Sequence, residues 1–341
     1  MSAGRRSRFL LISPKARPDD AFMTGGHSMK QFNYILKRIL QMIPVLFVVT
    51  IIIFWGIRLI PGTPALTILG EKAPQSASEA MEKKMGLDQP IWKQYLIYLQ
   101  DLMHLDLGTS IRLKQPVLEL FQQRSVVTIT YTIMCTLFTL LIGIPLGYIA
   151  GMTKRGYVSK GITSAALVML SLPSFWFAIL LLFFFGLKLG WVPVGGWGET
   201  WAEHIHSMLL PSLTGAIGSV GLLIRNIQSG VQKILARDYV DFARSKGLDK
   251  PIIRSRYVLK NVMVSTLTLI AMRITSMLGG SVIIETVFAL PGLGSMLVNA
   301  INGRDYVLVQ GTVLLFAVVV LVITLITDIC YSFVDPRVKL Q

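Results

Sequence analysis

Six apolar segments constrain what this chain can fold into more than any other feature of its sequence. They lie at 39–60, 125–150, 162–187, 209–229, 262–288 and 308–333. A helix rises about 1.5 Å per residue, so roughly 20 apolar residues cross a hydrocarbon core of about 30 Å. None of the segments alternates between apolar and polar residues as a barrel strand does, and a helix satisfies its own backbone hydrogen bonds in lipid. The sequence therefore predicts an all-α integral membrane protein with six transmembrane helices.

Basic residues are concentrated on one predicted side of the membrane. With the N-terminus assigned to the cytoplasm, the cytoplasmic pieces carry a basic surplus equal to the formal net charge of +15. These pieces are 1–38, 151–161, 230–261 and 334–341. The external pieces, which are 61–124, 188–208 and 289–307, hold nearly equal numbers of basic and acidic residues. This asymmetry follows the positive-inside rule, so both termini are predicted to be cytoplasmic and no nucleic-acid partner is indicated.

A charged island from Asp238 to Asn261 separates two apolar segments and is predicted to form two short helices joined by a turn. Gly247 suits the left-handed residue that ends the first helix. Asp249 can cap the second helix, and Pro251 is tolerated in its first turn. An apolar stripe on the first helix comprises Val231, Ile234, Leu235, Tyr239, Phe242 and Ala243. Because a simple connector does not need this much structure, we interpret the island as a docking surface for a soluble partner, with Phe242 and Ala243 on its apolar face.

The run Ala243-Arg244-Ser245-Lys246-Gly247-Leu248, followed by Leu259 and Asn261, resembles the cytoplasmic coupling loop of permease subunits in binding-protein-dependent ABC importers. Other runs resemble the dipeptide/oligopeptide/nickel branch of these permeases. They are Gly86 to Pro90, Leu105 to Ser110, Gly279 to Gly294, Arg304 to Tyr306 and Asp335 to Arg337. The branch's usual Pro-Gly-Asp-Pro is Pro61-Gly62-Thr63-Pro64 here, a departure at a single position. The resemblance covers residues 29–341.

This resemblance implies an ABC importer type I permease fold with a cytoplasmic coupling helix, in a bacterial inner membrane. It implies a second permease subunit, expected to form a hetero-pair, together with two ATPase subunits and an external substrate-binding protein. ATP and Mg are expected on the ATPase subunits, and no cofactor or metal on this chain. The residues that it implies in ATPase coupling are Tyr239, Asp241, Phe242, Ala243, Gly247, Leu248, Leu259 and Asn261. Small peptides are the commonest cargo of the branch, and nickel chelates, glutathione and opines are alternatives that the sequence leaves open.

Polar residues within two predicted spans are candidates for a translocation pathway, because ionisable and polar groups in a span tend to face a cavity or a partner. In the third span, Pro173 is predicted to kink the helix and to free a carbonyl that can line a cavity. The candidate pathway or gate residues are Ser174, Phe175, Arg273, Ser276, Gly279, Gly280 and Glu285.

Sequence motifs for self-powered transport or catalysis are missing. The chain has no Gly-x-x-x-x-Gly-Lys-Ser/Thr, so it lacks a P-loop that could hold nucleotide. His204 and His206 form a close pair but lack the further ligands of a metal site. A self-sufficient secondary transporter is a less favoured alternative, because it does not explain the charged hairpin, and an intramembrane enzyme lacks a recognisable nucleophile.

Four regions are predicted along the chain. Residues 1–28 form a polar N-terminal extension, expected to be disordered or to precede a physiological start at Met29. Residues 29–123 hold the first transmembrane helix and a long external region, and residues 124–333 hold the core transmembrane domain with the coupling loop at 231–261. Residues 334–341 form a cytoplasmic tail.

Overall fold

The computed structural model describes residues 20–59, 65, 69–70, 73–84, 86–153 and 156–334. The helices α1 to α6 are Asp20–Arg58, Gln75–Lys84, Ile91–Met103, Val117–Met152, Tyr157–Ser171 and Ser174–Leu181. The helices α7 to α12 are Trp201–Leu235, Asp238–Ser245, Lys250–Ile252, Lys260–Val287, Leu293–Asn302 and Tyr306–Val334. Two π-helical segments, Leu182–Lys188 and Ile253–Leu259, continue α6 and join α9 to α10. The fold class is all-α, as predicted.

The predicted N-terminal extension is only partly described. The first helix begins at Asp20, so residues 20–28 lie within it. The expectation that 1–28 are disordered or precede a start at Met29 stays a prediction. Residues 1–19, and the tail at 335–341, lie outside the described residues.

Within the described residues, four helices are long and apolar enough to cross a membrane: Ile35–Arg58, Val117–Met152, Trp201–Leu235 and Tyr306–Ile329. They coincide with the predicted first, second, fourth and sixth spans. The helix α10 covers the predicted fifth span, but several of its side chains are outside the described set, so the count of six stays a prediction.

The predicted third span differs most from expectation. Its two halves, Tyr157–Ser171 and Ser174–Lys188, meet at an angle of 102°. Between them, Leu172 and Pro173 have extended backbone, with ψ of 130° and 125°. Proline cannot donate the helical hydrogen bond and keeps the preceding residue out of the helical region. A sharp break therefore replaces the predicted kink.

The centre of the bundle is the contact between α4 and α7. Gly143, Gly147 and Gly151, at four-residue spacing on α4, allow the two helices to approach closely. A Cβ atom added at Gly143 or Gly151 would lie 2.7 Å from Leu223 or 2.6 Å from Val231 on α7. Any larger residue on this stripe would push the two helices apart.

The region between the first two spans contains α3, which docks on α1. The hydroxyls of Thr50 and Tyr95 lie 3.0 Å apart, and Arg58 Nη2 donates to Gln94 Oε1 at 2.7 Å. Burial of the Tyr98 hydroxyl raises its pKa to about 12. At the other end of α1, Arg38 Nη2 lies 3.1 Å from Asp328 Oδ2 and ties the first helix to α12.

Candidate functional site

The charged island folds into a hairpin, defined here as residues 238–259, whose first helix α8 ends as the sequence predicted. Gly247 has φ of +75°, in the left-handed region that favours glycine. Its N–H donates to Arg244 O at 2.9 Å, and the N–H of Leu248 donates to Ala243 O at 3.2 Å. This pair of bonds is a Schellman motif, which satisfies carbonyls that a helix end leaves free. The turn at Gly247 is therefore built by backbone geometry.

The inner face of the hairpin is apolar and closed. Val240, Ala243 and Ile253 are 0%, 3% and 5% exposed and pack together, with Leu248 and Tyr257 against them. Ala243 thus packs against the second half of the hairpin. The prediction that Phe242 and Ala243 share one presented face was wrong, because adjacent residues on a helix point about 100° apart.

The outer face of α8 is aromatic and charged. Phe242 is 60% exposed and Tyr239 is 40% exposed. Lys246 Nζ lies 4.6 Å from the centre of the Phe242 ring, and Asp241 forms an exposed ion pair with Arg244 at 3.0 Å. Such a surface offers a ring and charges of both signs to a soluble partner.

The second half of the hairpin runs without a break into α10. Asp249 occupies the N-cap position, but its side chain makes no capping hydrogen bond, contrary to expectation. The π-helical segment Ile253–Leu259 was not predicted from the sequence. Leu259 is partly buried, and the exposed Asn261 donates from Nδ2 to Tyr257 O at 2.6 Å.

At the opposite end of α10, the predicted pathway residue Glu285 is fully buried. Its Oε1 accepts from Thr128 Oγ1 at 2.8 Å, and its Oε2 accepts from the Ser295 N–H at 2.9 Å. Thr128 Oγ1 in turn accepts from the Leu293 N–H at 2.9 Å. A Cβ atom at Gly292 would lie 2.4 Å from Glu285 Cδ, so the turn before α11 needs glycine there. Glu285 thus joins α10, α4 and α11.

A second buried carboxylate at this end was missed by the sequence analysis. Asp305 is 1% exposed and accepts from Ser110 Oγ, from the Ile111 and Arg112 N–H groups, and from the Leu308 N–H at the start of α12. The only sequence signal was its place in the run Arg304-Asp305-Tyr306, where an acid precedes a helix.

The other pathway candidates do not gather around Glu285. Ser174 and Phe175 follow the break in the third span, and both are exposed. On α10, Arg273 lines a small cavity together with Thr139 and Ser219. Ser276 and Gly279 are exposed, and Gly280 lies on the same helix. Their assignment to a pathway stays a prediction.

The two histidines predicted not to bind metal each lie beside a backbone carbonyl. His204 Nδ1 is 2.9 Å from Trp197 O, and His206 Nε2 is 2.8 Å from Trp191 O. His204 also stacks on the Trp197 ring at 4.1 Å between ring centres. Both side chains therefore have contacts that fix the loop before α7.

Long apolar helices that could cross a membrane, with an ordered hairpin at one end, are typical of an integral membrane protein. The solved MetNI methionine ABC transporter, in an inward-facing crystal form, has a chain of this fold. That chain aligns with a TM-score of 0.54 at 16% identity, covering 64% of this chain and 97% of its own length. The likeness shows the fold of an ABC importer permease.

The chain belongs to the family described as the binding-protein-dependent transport system inner membrane component, whose model matches residues 143–340. The N-terminal model of the same kind of membrane component matches residues 31–132. The protein is therefore a multi-pass inner-membrane permease subunit that works with ATPase and binding-protein partners.

Curated relatives align along most of their length. A protein of Brucella abortus (strain 2308), assigned to a peptide transport system as a permease, is 38% identical, with 89% of this chain and 98% of the relative covered. The dipeptide transport system permease protein DppB of Alkalihalophilus pseudofirmus is 33% identical, with 90% and 99% covered. The glutathione transport system permease protein GsiC of Escherichia coli (strain K12) is 31% identical, with 90% and 99% covered.

Proposed function

We propose that this permease subunit forms half of the translocation pathway for small peptides and that its hairpin couples it to the ATPase subunits. The observation that carries the coupling proposal is the exposed outer face of α8, with Phe242 and Tyr239 projecting from a helix held by its own buried inner face. Aromatic side chains of this kind often carry most of the binding energy of an interface.

Peptide cargo is supported by the relatives' names. Those named for peptide or dipeptide transport are more similar to this chain, at 38% and 33% identity, than those named for glutathione, at 31%. Glutathione is itself a tripeptide, so it is the second candidate; nickel chelates and opines have the support of the resemblance alone. Uptake of labelled dipeptide, glutathione and nickel by the reconstituted importer distinguishes them.

The proposed assembly pairs this chain with a second, related permease, and places the hairpin and both termini in the cytoplasm. Charge asymmetry supports this orientation. Reporter fusions after Lys160 and Lys246 are expected to give a cytoplasmic signal and a fusion after Trp201 an external one. Mass spectrometry of the intact detergent complex is expected to show two different permease chains; a monomer with full transport activity would refute the pairing.

Phe242→Asp tests the coupling proposal. Placing a charge at a central aromatic contact is expected to cost roughly 2 kcal/mol or more, or about 30-fold in affinity for the ATPase subunits. Uptake and cargo-stimulated ATP hydrolysis should fall together, while membrane abundance stays normal because Phe242 is exposed.

The matched control is Tyr157→Asp, which adds the same charge at an aromatic residue that is 94% exposed on the other short cytoplasmic connection. This variant should transport normally. Equal uptake by Phe242→Asp and the unaltered chain would contradict a docking role for the outer face of α8.

A further inference from the structure

A cavity of about 610 Å³ lies at the end of the bundle opposite the hairpin, between α4, the end of α10 and α11. Buried Leu290, Met296 and Ala300 form its apolar floor. Exposed Arg112 and half-buried Arg124 lie along its sides. Sites for small molecules typically enclose about 300–1,000 Å³ and combine an apolar lining with a few polar groups. The cavity has the size and the lining of such a site.

The acidic and basic side chains that line this cavity differ in whether their polar atoms are free to bind a ligand. Glu285 and Asp305 also border it, but each uses both carboxylate oxygens to accept hydrogen bonds from its own chain. In the described part of the chain, by contrast, neither Arg112 nor Arg124 forms an ion pair. The single hydrogen bond from the Arg124 guanidinium is a long one of 3.4 Å, to Pro291 O. The cavity therefore offers cationic donors, whereas the oxygens of its two acids are already bonded.

We propose that this cavity binds a carboxylate through Arg112 and Arg124. A guanidinium presents paired N–H donors that match the two oxygens of a carboxylate, and charge-assisted bonds of this kind are stronger than neutral ones. The source that we favour is the free carboxylate of a peptide in transit, with its side chains against Leu290 and Met296; this choice rests on the proposed peptide cargo. The same chemistry could come from an acidic side chain of the external binding protein, and the experiment separates the two sources.

The test uses the complete importer in lipid nanodiscs and proteoliposomes, with Arg112→Gln and Arg124→Gln singly and together. Two quantities are measured: uptake of labelled Ala-Ala with saturating binding protein, and the Kd of cargo-free binding protein for the nanodisc complex. Lys114→Gln is the control, because Lys114 is an exposed cation of the same segment that does not line the cavity. Melting temperatures verify that the variants fold.

If the carboxylate belongs to the cargo, uptake by the double variant should fall about tenfold or more, as expected when charge-assisted hydrogen bonds are removed. The Kd of cargo-free binding protein should then be unchanged. Arg124→Lys should recover part of the uptake, since lysine keeps the positive charge but lacks the paired N–H donors of a guanidinium. A tenfold rise in the Kd of cargo-free binding protein would instead assign the carboxylate to that protein and would also support the site. Unchanged uptake and unchanged Kd in a folded double variant would overturn the proposal.

Failure of the peptide proposal is recognised separately. If the unaltered importer takes up no Ala-Ala, the peptide cargo is wrong whatever the variants do. Uptake of glutathione, which also carries free carboxylates, then replaces Ala-Ala in the same comparison, and the same two outcomes decide whether the arginines bind a carboxylate.

Discussion

The two ends of α10 are joined to the rest of the molecule by different kinds of contact. At the hairpin end, Val240, Ala243 and Ile253 pack as an apolar cluster, and all three are close in sequence. At the opposite end, the buried carboxylates of Glu285 and Asp305 bond to donors 157 and 195 residues away. The first arrangement makes a small unit that packs on its sequence neighbours, including Ile234 and Leu235 at the end of α7. The second fixes several distant elements against one another.

This difference suits the two tasks of an importer permease. A coupling element must transmit movement, and a hairpin that is closed on itself can shift as one body when a partner moves it. In the proposed function the other end receives cargo and must keep its shape, and hydrogen bonds to buried charges impose more directional constraint than apolar contact does. We therefore expect substitutions at the carboxylate end to lower the stability of the whole bundle, and substitutions at the hairpin to lower coupling.

The largest effect on stability is expected for Asp305→Asn. Both Asp305 oxygens accept hydrogen bonds, so in either orientation the new amide group places its own donors against donors of this chain. Losing acceptors for buried groups should cost about 3 kcal/mol. The melting temperature of the purified complex should fall, and the segment before α4 should become sensitive to protease.

Asp106→Asn is the control for this prediction. Asp106 lies in the same region and its Oδ1 accepts from the Gly108 N–H at 2.8 Å, but the side chain is exposed. Its substitution should change the melting temperature little. Equal falls in melting temperature for the two variants would show that the buried hydrogen bonds of Asp305 do not give it a larger role in stability than an exposed carboxylate.

A smaller loss, about 2 kcal/mol, is expected for Glu285→Gln. The amide keeps one acceptor but loses the other, so either Thr128 or the Ser295 N–H is left unsatisfied. Because Thr128 and Glu285 share one bond, the double variant with Thr128→Val should be less destabilised than the sum of the two single variants. Melting temperatures of the four proteins measure this coupling. Additive losses would mean that the hydrogen bond between Thr128 and Glu285 does not hold α4 to α10.

The same contrast explains how much of the structure the sequence could predict. Gly247 and the helix before it were predicted because the Schellman motif depends on a glycine and its immediate neighbours. The first, second, fourth and sixth spans were predicted because their length and composition are local properties. Ala243 was misplaced because a stripe of apolar residues does not say which of them face the partner half of the hairpin.

Contacts between residues far apart in the sequence could not be predicted, because local sequence does not show which distant residues lie together. Glu285 was singled out as an ionisable residue in a span, which predicted a cavity or a partner but not Thr128. Asp305 was not singled out at all, since nothing in residues 300–310 shows that Ser110 and Arg112 lie beside it. The break at Pro173 was predicted in position but not in angle, because the packing around a proline sets how far the helix turns.

The smallest effect on stability, with the sharpest effect on function, is expected for Gly247→Val. A β-branched residue at φ of +75° costs roughly 1–2 kcal/mol, and the strain falls on the turn between the two halves of the hairpin. Gly190→Val is a matched control, because Gly190 also has positive φ, +63°, and neither glycine has an atom within 4 Å of an added Cβ. The two substitutions impose the same kind of strain at opposite ends of the molecule.

Both variants should reach the membrane at normal abundance and melt within a few degrees of the unaltered complex. Only Gly247→Val should lose binding-protein-stimulated ATP hydrolysis and uptake together, because a tilted second half moves α8 from its proposed contact with the ATPase subunit. Wild-type uptake by Gly247→Val, or equal loss in both variants, would mean that the hairpin does not transmit the movement.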